Sequence, residues 1–391
     1  MNRSHPIAAR TPPSRHLLRA PRRRAGRRAA TVGAALVVAG ALLGAALAPP
    51  AGASDTAPRP GVRTVAVHAP HHGRTMEVVF WYPTRERPAS ADGALARGTP
   101  VSLGENAVFH GDPALLDAPP AAGPRPLVLL SHGLGGHALS LRWLAHGLVE
   151  AGATVLAVNH PNSTFSDFDL ARGLAHWTRA EDLRHALDWL LAHPELGALV
   201  DAERIHAAGF SYGGWTALSL GGLRGNLAGY AAHCERERSR SSHCADLARG
   251  GLDLDALDAA AWNASYRDPR VRTVTAIDPA LHYGLTAEHA EDLVDAVLLI
   301  GLGGEGERLP ATDFGVDGSG FENEVAAEVL RIVPAFHFSA LPLCKPGGAA
   351  VLEAEEDDPV CDDPPGADRA AIHRAVIAAT LERIGSVGTG R

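Results

Sequence analysis

The chain has 391 residues, with 36 lysines and arginines against 44 aspartates and glutamates and a formal net charge of −8. Nine of the arginines fall in residues 1–28, where there is no acid, so the chain beyond residue 53 carries 27 basic and 44 acidic side chains, a net charge of −17. A polyanion of that kind is a poor partner for nucleic acid or an anionic membrane surface, and the length leaves ample chain for the core of one large α/β domain.

The first 53 residues read as a secretory leader. Behind the arginine-rich start, Ala29 to Ala48 is a run of apolar residues and glycine with a single threonine, and Pro49-Pro50-Ala51-Gly52-Ala53 closes it in an Ala-x-Ala pattern. Cleavage is expected after Ala53, leaving no membrane span, and the pairs Arg22-Arg23 and Arg27-Arg28 hint at twin-arginine export. An uncleaved anchor is the competing reading, because twenty such residues can cross a bilayer.

A Pro-rich linker, residues 54–61, leads into the domain, residues 62–391. Val62 to His68 and Glu77 to Tyr82 read as strands joined by a turn through Pro70 and Gly73, an opening antiparallel hairpin. His68, His71 and His72 lie on or beside that turn; with no carboxylate or cysteine close by in sequence, they read as a solvated turn and not as a metal site. Arg85 to Pro126, rich in Ala, Pro and Gly, reads as a long surface excursion.

From Leu127 the pattern becomes strand, loop and helix in repetition. Leu127 to Leu130, Thr154 to Val158, Ile205 to Gly209, Val271 to Ile277, Ala296 to Ile300 and Leu330 to Pro334 read as strands. Helices are expected over Ala138 to Val149, Arg179 to Leu191, onward from Tyr212, and over Ala367 to Ile384. Such alternation implies a mostly parallel sheet covered on both faces by helices. Gly221 to Asp268 stands out as an insertion before the sixth strand of the series. Its Leu254, Leu257 and Ala261 recur at helical spacing ahead of Trp262 and Tyr266, a face that suits either a roof over a cleft or a helix packed on the core.

Gly209-Phe210-Ser211-Tyr212-Gly213 joins a strand to a helix and has the form of a nucleophile elbow. The glycines permit a turn too sharp for side chains, Ser211 is held with its hydroxyl above the sheet, and the following helix favours negative charge beside it. A serine hydroxyl becomes a nucleophile only when a base takes its proton, and the base in turn needs a carboxylate to orient it. Among the twenty histidines, His337 is best placed, directly after the strand Leu330 to Pro334; His373 reads as structural, and His282 and His289 belong to a loop and a helix start. Asp278 follows the strand Val271 to Ile277 directly and is preferred as the acid to Glu305 and Glu307 in the glycine-rich loop Gly301 to Gly306 and its continuation. Two backbone N–H groups are expected to hold an oxyanion: that of Tyr212, and that of Leu134 in His132-Gly133-Leu134-Gly135-Gly136.

The strings Leu130-Ser131-His132-Gly133-Leu134-Gly135, Gly209-Phe210-Ser211-Tyr212-Gly213-Gly214, Ala276-Ile277-Asp278-Pro279 and His337-Phe338 together resemble α/β-hydrolases of the platelet-activating-factor acetylhydrolase type. They also resemble the exported bacterial proteins labelled predicted dienelactone hydrolases, as does the opening Val79-Phe80-Trp81-Tyr82-Pro83; the similarity spans about Val62 to Ile384. It implies an α/β-hydrolase fold with Ser211 as nucleophile, Asp278 as acid, His337 as base, and Leu134 and Tyr212 as oxyanion donors. The expected activity is cleavage of a small or lipid-like carboxylic ester through an acyl-serine intermediate, without metal or organic cofactor. Acyl transfer to an alcohol, attack on a polyester or amide, and a binding protein without catalysis are the alternatives.

Four cysteines, Cys234, Cys244, Cys344 and Cys361, all lie in the part expected to be exported, where disulfides persist. Three pairings are possible; local pairing of Cys234 with Cys244 and of Cys344 with Cys361 is the simplest, each enclosing a short polar loop.

Overall fold

A computed structural model describes residues 59–84, 98–237 and 241–386. The leader, its cleavage position and the start of the linker lie outside the described residues.

The opening hairpin pairs β1 (Gly61–Ala69) with β2 (Arg74–Tyr82) in antiparallel register from Gly61 opposite Tyr82 to Ala69 opposite Arg74. Two short strands follow, β3 (Thr99–Leu103) and β4 (Asp112–Leu116), and β4 lies parallel to β1. This corrects the reading of Arg85 to Pro126 as a surface excursion: its residues 99–116 carry two strands that extend the sheet beyond the hairpin. Next come β5 (Arg125–Ser131), β6 (Thr154–Val158), the two-residue pair β7 (Ser163–Thr164) and β8 (Asp167–Phe168), then β9 (Val200–Phe210), β10 (Val271–Ile277), β11 (Ala296–Leu302) and β12 (Glu328–Ile332). Ten of these form one sheet in the order β12-β11-β10-β9-β5-β6-β2-β1-β4-β3, parallel from β12 through β6 and mixed beyond.

Among the described residues nine α-helices accompany the strands: α1 (Arg142–Glu150), α2 (Leu170–Gly173), α3 (His176–Ala192), α4 (Tyr212–Gly221), α5 (Leu227–Glu237), α6 (Ser242–Arg249), α7 (Ala259–Asn263), α8 (Gly348–Ala354) and α9 (Arg369–Gly385). The strand period of two splits the buried residues between two cores. Val78, Phe80, Leu127 and Leu129 face the layer of α3 and α4, whereas Val79, Trp81, Val128 and Leu130 face that of α1 and α9. Because both faces are covered, the central strands are largely apolar over their buried stretches, as in β6, whose five residues are all buried.

The insertion is not one continuous helix. A short 3-10 turn at Leu254–Ala256 precedes α7, and Leu254, Leu257 and Tyr266 pack against the same core that buries Trp262 completely. Trp262 stacks on Tyr230 at 5.2 Å and meets the His176 ring edge-on at 4.8 Å, so this half of the insertion is packed on the domain core. Cys234 is bonded to Cys244 and Cys344 to Cys361, the local pairing. No helix among the described residues is long and apolar enough to cross a membrane.

Candidate active site

The turn from β9 into α4 leaves no room for side chains at its glycines. A Cβ on Gly209 would lie 2.1 Å from the Gly213 carbonyl oxygen, and one on Gly213 would lie 2.0 Å from that of Ser131. Between them Ser211 takes φ 58° and ψ −120°, a region that costs an L-residue of order 1–3 kcal/mol and persists only where the surroundings impose it. They do so here: its N–H donates to the Ile277 carbonyl at 2.8 Å, and its own carbonyl accepts from Ala280 and Trp215. The hydroxyl is thereby raised at the carboxyl edge of the sheet, ahead of the first turn of α4.

His337 opens a 3-10 turn just beyond β12, and its Nε2 lies 3.1 Å from Ser211 Oγ. Its Nδ1 lies 2.6 Å from Asp278 Oδ2, and its ring packs on Phe210 at 4.5 Å between centroids. Asp278 follows β10 at φ 46°, with its N–H on the Ile300 carbonyl. Oδ1 accepts from the Leu302 N–H at 2.9 Å, and Oδ2 accepts from Thr312 Oγ1 at 2.9 Å as well as facing the imidazole. Buried with every near neighbour a donor, this carboxylate fixes the imidazole with hydrogen on Nδ1 and a lone pair on Nε2 toward Ser211.

The structure thus brings Ser211, His337 and Asp278 into one hydrogen-bonded series. Glu305 and Glu307 are exposed in the loop after β11 and stand apart from it. His373 lies on α9, stacked on Trp143 at 3.8 Å and bonded to the carbonyls of Ser339 and Leu341; His282 is buried beside Phe321, and His289 bonds to Thr286.

The loop holding Leu134 runs alongside the serine, since a Cβ on Gly133 would be 3.4 Å from Ser211 Cβ. It is held from beneath by groups that the sequence pattern does not reveal. His132 donates through Nδ1 to the Gly133 carbonyl and accepts at Nε2 from the His160 N–H; burial, and after it the charges of Arg179 and His160, keep this imidazole neutral, with its pKa well below the ordinary value. Arg179, buried on α3, donates to the His132 carbonyl, to Ser163 Oγ at 2.5 Å and to Thr216 Oγ1 at 3.1 Å. Its guanidinium also lies over the Tyr212 ring at 5.1 Å, and burial brings its pKa down to about 10. Deeper still, Ser131 Oγ meets His160 Nε2 at 2.9 Å and His160 Nδ1 meets Asp182 Oδ2 at 2.8 Å. That second Ser, His and Asp series is fully buried, so it supports the loop and has no access to substrate.

No protein-family model matches the sequence, and no curated protein matches it either. Solved structures do match. A ferulic acid esterase from Streptomyces cinnamoneus, 21% identical, covers 87% of this chain and 92% of its own length with a TM-score of 0.53. The chain has the α/β-hydrolase fold. A dienelactone hydrolase from Anabaena variabilis covers 76% of this chain and 96% of its own length at 17% identity, with a TM-score of 0.39.

In α/β-hydrolase terms, the side chains described above stand at the ends of β9, β10 and β12, on the carboxyl edge of the sheet. A cavity of about 400 Å³ between Arg125, Gly152, Arg204 and Ile384 opens at the amino ends of the strands, away from Ser211. Two further features escape a reading of the sequence. Thr312 belongs to an irregular stretch with no motif around it, and Phe165, 55% exposed on the β7–β8 turn, meets His137 edge-on at 5.3 Å where Thr164 bridges to Gly135. The opening-hairpin histidines also differ from expectation: His71 and His72 are half-buried and bonded to Asp182, a carboxylate 110 residues or more away in sequence.

Proposed function

We propose that the protein is an exported serine hydrolase that cleaves a carboxylic ester through an acyl-Ser211 intermediate. The observation that carries this reading is His337, which lies within hydrogen-bond distance of Ser211 Oγ on one side and Asp278 on the other. In the first step Ser211 Oγ attacks the ester carbonyl carbon while its proton passes to His337 Nε2, and Asp278 stabilises the imidazolium so formed. The carbonyl oxygen gains the negative charge, which the N–H groups of Leu134 and Tyr212 stabilise. Collapse expels the alcohol, protonated by His337. Water activated by the same imidazole then attacks the acyl carbon, releasing the acid and restoring Ser211.

Every component is a side chain or a backbone amide of this chain, so the cycle as written calls for no metal or organic cofactor. Residues 62–391 form the catalytic domain, and export follows from the leader, with two disulfides compatible with an extracytoplasmic site. Phe165 offers apolar surface beside the Leu134 loop, which favours an ester with a hydrophobic or aromatic part.

The test is turnover of p-nitrophenyl esters of rising acyl length and of a feruloyl ester, with Ser211→Ala as control. Release of p-nitrophenol with a pre-steady-state burst, abolished by the substitution, is the expected result. Turnover that survives Ser211→Ala, or none across the whole panel, would remove the proposal.

A further inference from the structure

The turn between β1 and β2 sets two imidazoles against one carboxylate oxygen. His71 Nε2 lies 2.8 Å and His72 Nε2 3.0 Å from Asp182 Oδ1, and the three ligand atoms lie within 4.8 Å of one another. We propose that His71, His72 and Asp182 form a zinc site that pins the opening hairpin to α3. The site is separate from the hydrolytic one and stands whether or not the ester reading does.

The donor set selects the metal. Two imidazole nitrogens with one carboxylate oxygen suit zinc, which takes such ligands at about 2.0–2.2 Å in a tetrahedron, whereas calcium and magnesium demand oxygens. Bonds of that length place neighbouring ligand atoms about 3.3 Å apart, so zinc entry requires the two nitrogens to withdraw from Oδ1 by about half an ångström or less and to close on each other from a separation of up to 4.8 Å, a shift of about 1.5 Å at most. The turn presents the rings in a fixed way: Pro70 opens it, Gly73 closes it at φ 65°, and the Gly73 N–H returns to the Pro70 carbonyl. His71 and His72 keep 14% and 7% of their side-chain surface exposed, which provides entry and a fourth position for water.

The surroundings are those of a metal ligand set. Asp182 is fully buried, and its other oxygen accepts from His160 Nδ1, which leaves Oδ1 as the ligating atom. On coordination the imidazole proton sits on Nδ1, and Glu181 Oε2, 3.8 Å from His71 Nδ1 and beyond hydrogen-bond distance, would have to move closer to become the carboxylate partner that ligating histidines commonly have. His185, one turn after Glu181, stacks on the His71 ring at 5.2 Å and limits its rotation. The physical alternative is that both histidines simply donate Nε2–H to Oδ1, which would leave the site indifferent to zinc.

The experiment uses tag-free protein stripped with a chelator, titrated with zinc sulfate alone and with calcium chloride alone. One zinc per chain, no calcium uptake, and a Tm rise of about 3–5 °C at zinc a hundredfold above its Kd are expected. His71→Gln and His72→Gln should each weaken zinc binding at least about tenfold and cut the Tm rise at the same zinc concentration by about half or more, with far-UV circular dichroism unchanged. Failure to bind zinc stoichiometrically, or binding retained by the His71→Gln/His72→Gln double variant, overturns the site. Should a single variant fold poorly, zinc protection of wild-type His71 and His72 from diethylpyrocarbonate decides the question, and unprotected histidines count against it.

Discussion

Ser211 and His337 act on one proton, so their contributions to turnover overlap. Ser211→Ala and His337→Ala should each lower kcat by about 10³-fold or more, and the double variant should be little worse than either; additive losses would show that the two do not work as a unit. Asp278→Asn should be severe because the imidazole loses its oriented Nδ1 partner, whereas Glu305→Gln and Glu307→Gln should be mild; the reverse ranking would move the acid to the loop after β11. These positions were legible because each sits at the end of an apolar run, and the fold allows few places for them. Arg179 was not legible. It is one of many arginines, placed mid-helix, and its contacts with the His132 carbonyl and the Tyr212 ring arise only when α3 packs over β5 and α4. Arg179→Met should reduce kcat for every ester by a similar factor with KM little changed, because it removes support from beneath both proposed oxyanion donors; an unchanged kcat in folded protein would end that assignment.

Among the elements, those with strong periodicity or buried runs were readable to within a few residues, β6 and β10 to the residue. The pair β3 and β4 was not, since each has five residues, each contains a proline, and their pairing depends on the edge that β1 offers. The insertion shows the same limit: apolar spacing identifies a face but not what it covers. With Trp262 fully buried on the core, Trp262→Ala should cost about 3–5 kcal/mol of stability and lower kcat/KM to a similar extent for short and long acyl esters. A change in chain-length preference without loss of stability would restore the roof. Beyond β12, the segment carrying His337 is anchored by Ser339 Oγ donating to Asp363 at 2.6 Å, by Arg369 on the same carboxylate, and by the Cys344–Cys361 bond across 17 residues. The Cys344→Ser/Cys361→Ser variant should therefore lose about 3 kcal/mol of stability, measured by urea unfolding. Its kcat should fall more than that of Cys234→Ser/Cys244→Ser, because the Cys344–Cys361 bond begins seven residues after His337 whereas the Cys234–Cys244 bond lies within the insertion.

For the molecule as a whole, acid is the predicted weakness. Burial lowers the pKa of His176 to about 3, of His206 to about 3 and of His373 to about 4, and each is built in as a neutral ring: His176 donates to the Trp262 carbonyl, His206 meets Thr273 Oγ1, and His373 stacks on Trp143. In the unfolded chain these rings take up protons near the ordinary value of about 6.5, while the folded chain refuses them until pH 3–4. Between those limits the unfolded state binds more protons, so stability rises with pH and is lost as pH falls below about 6.5. Each such histidine contributes a slope of roughly 1.4 kcal/mol per pH unit in that window. Acidification also relieves the mutual repulsion of a chain rich in carboxylates, which acts in the opposite direction, but exposed charges beyond about 10 Å are largely screened at 0.1 M salt. The histidine effect should therefore win. Urea unfolding in 0.2 M salt at pH 7.0, 6.0 and 5.0 should show the midpoint falling steadily with pH, and replacing His206 with an uncharged side chain that still reaches Thr273, as in His206→Gln, should flatten that fall even if it lowers stability at pH 7. A midpoint that holds constant or rises between pH 7 and 5 would mean that the buried rings accept protons in the folded state.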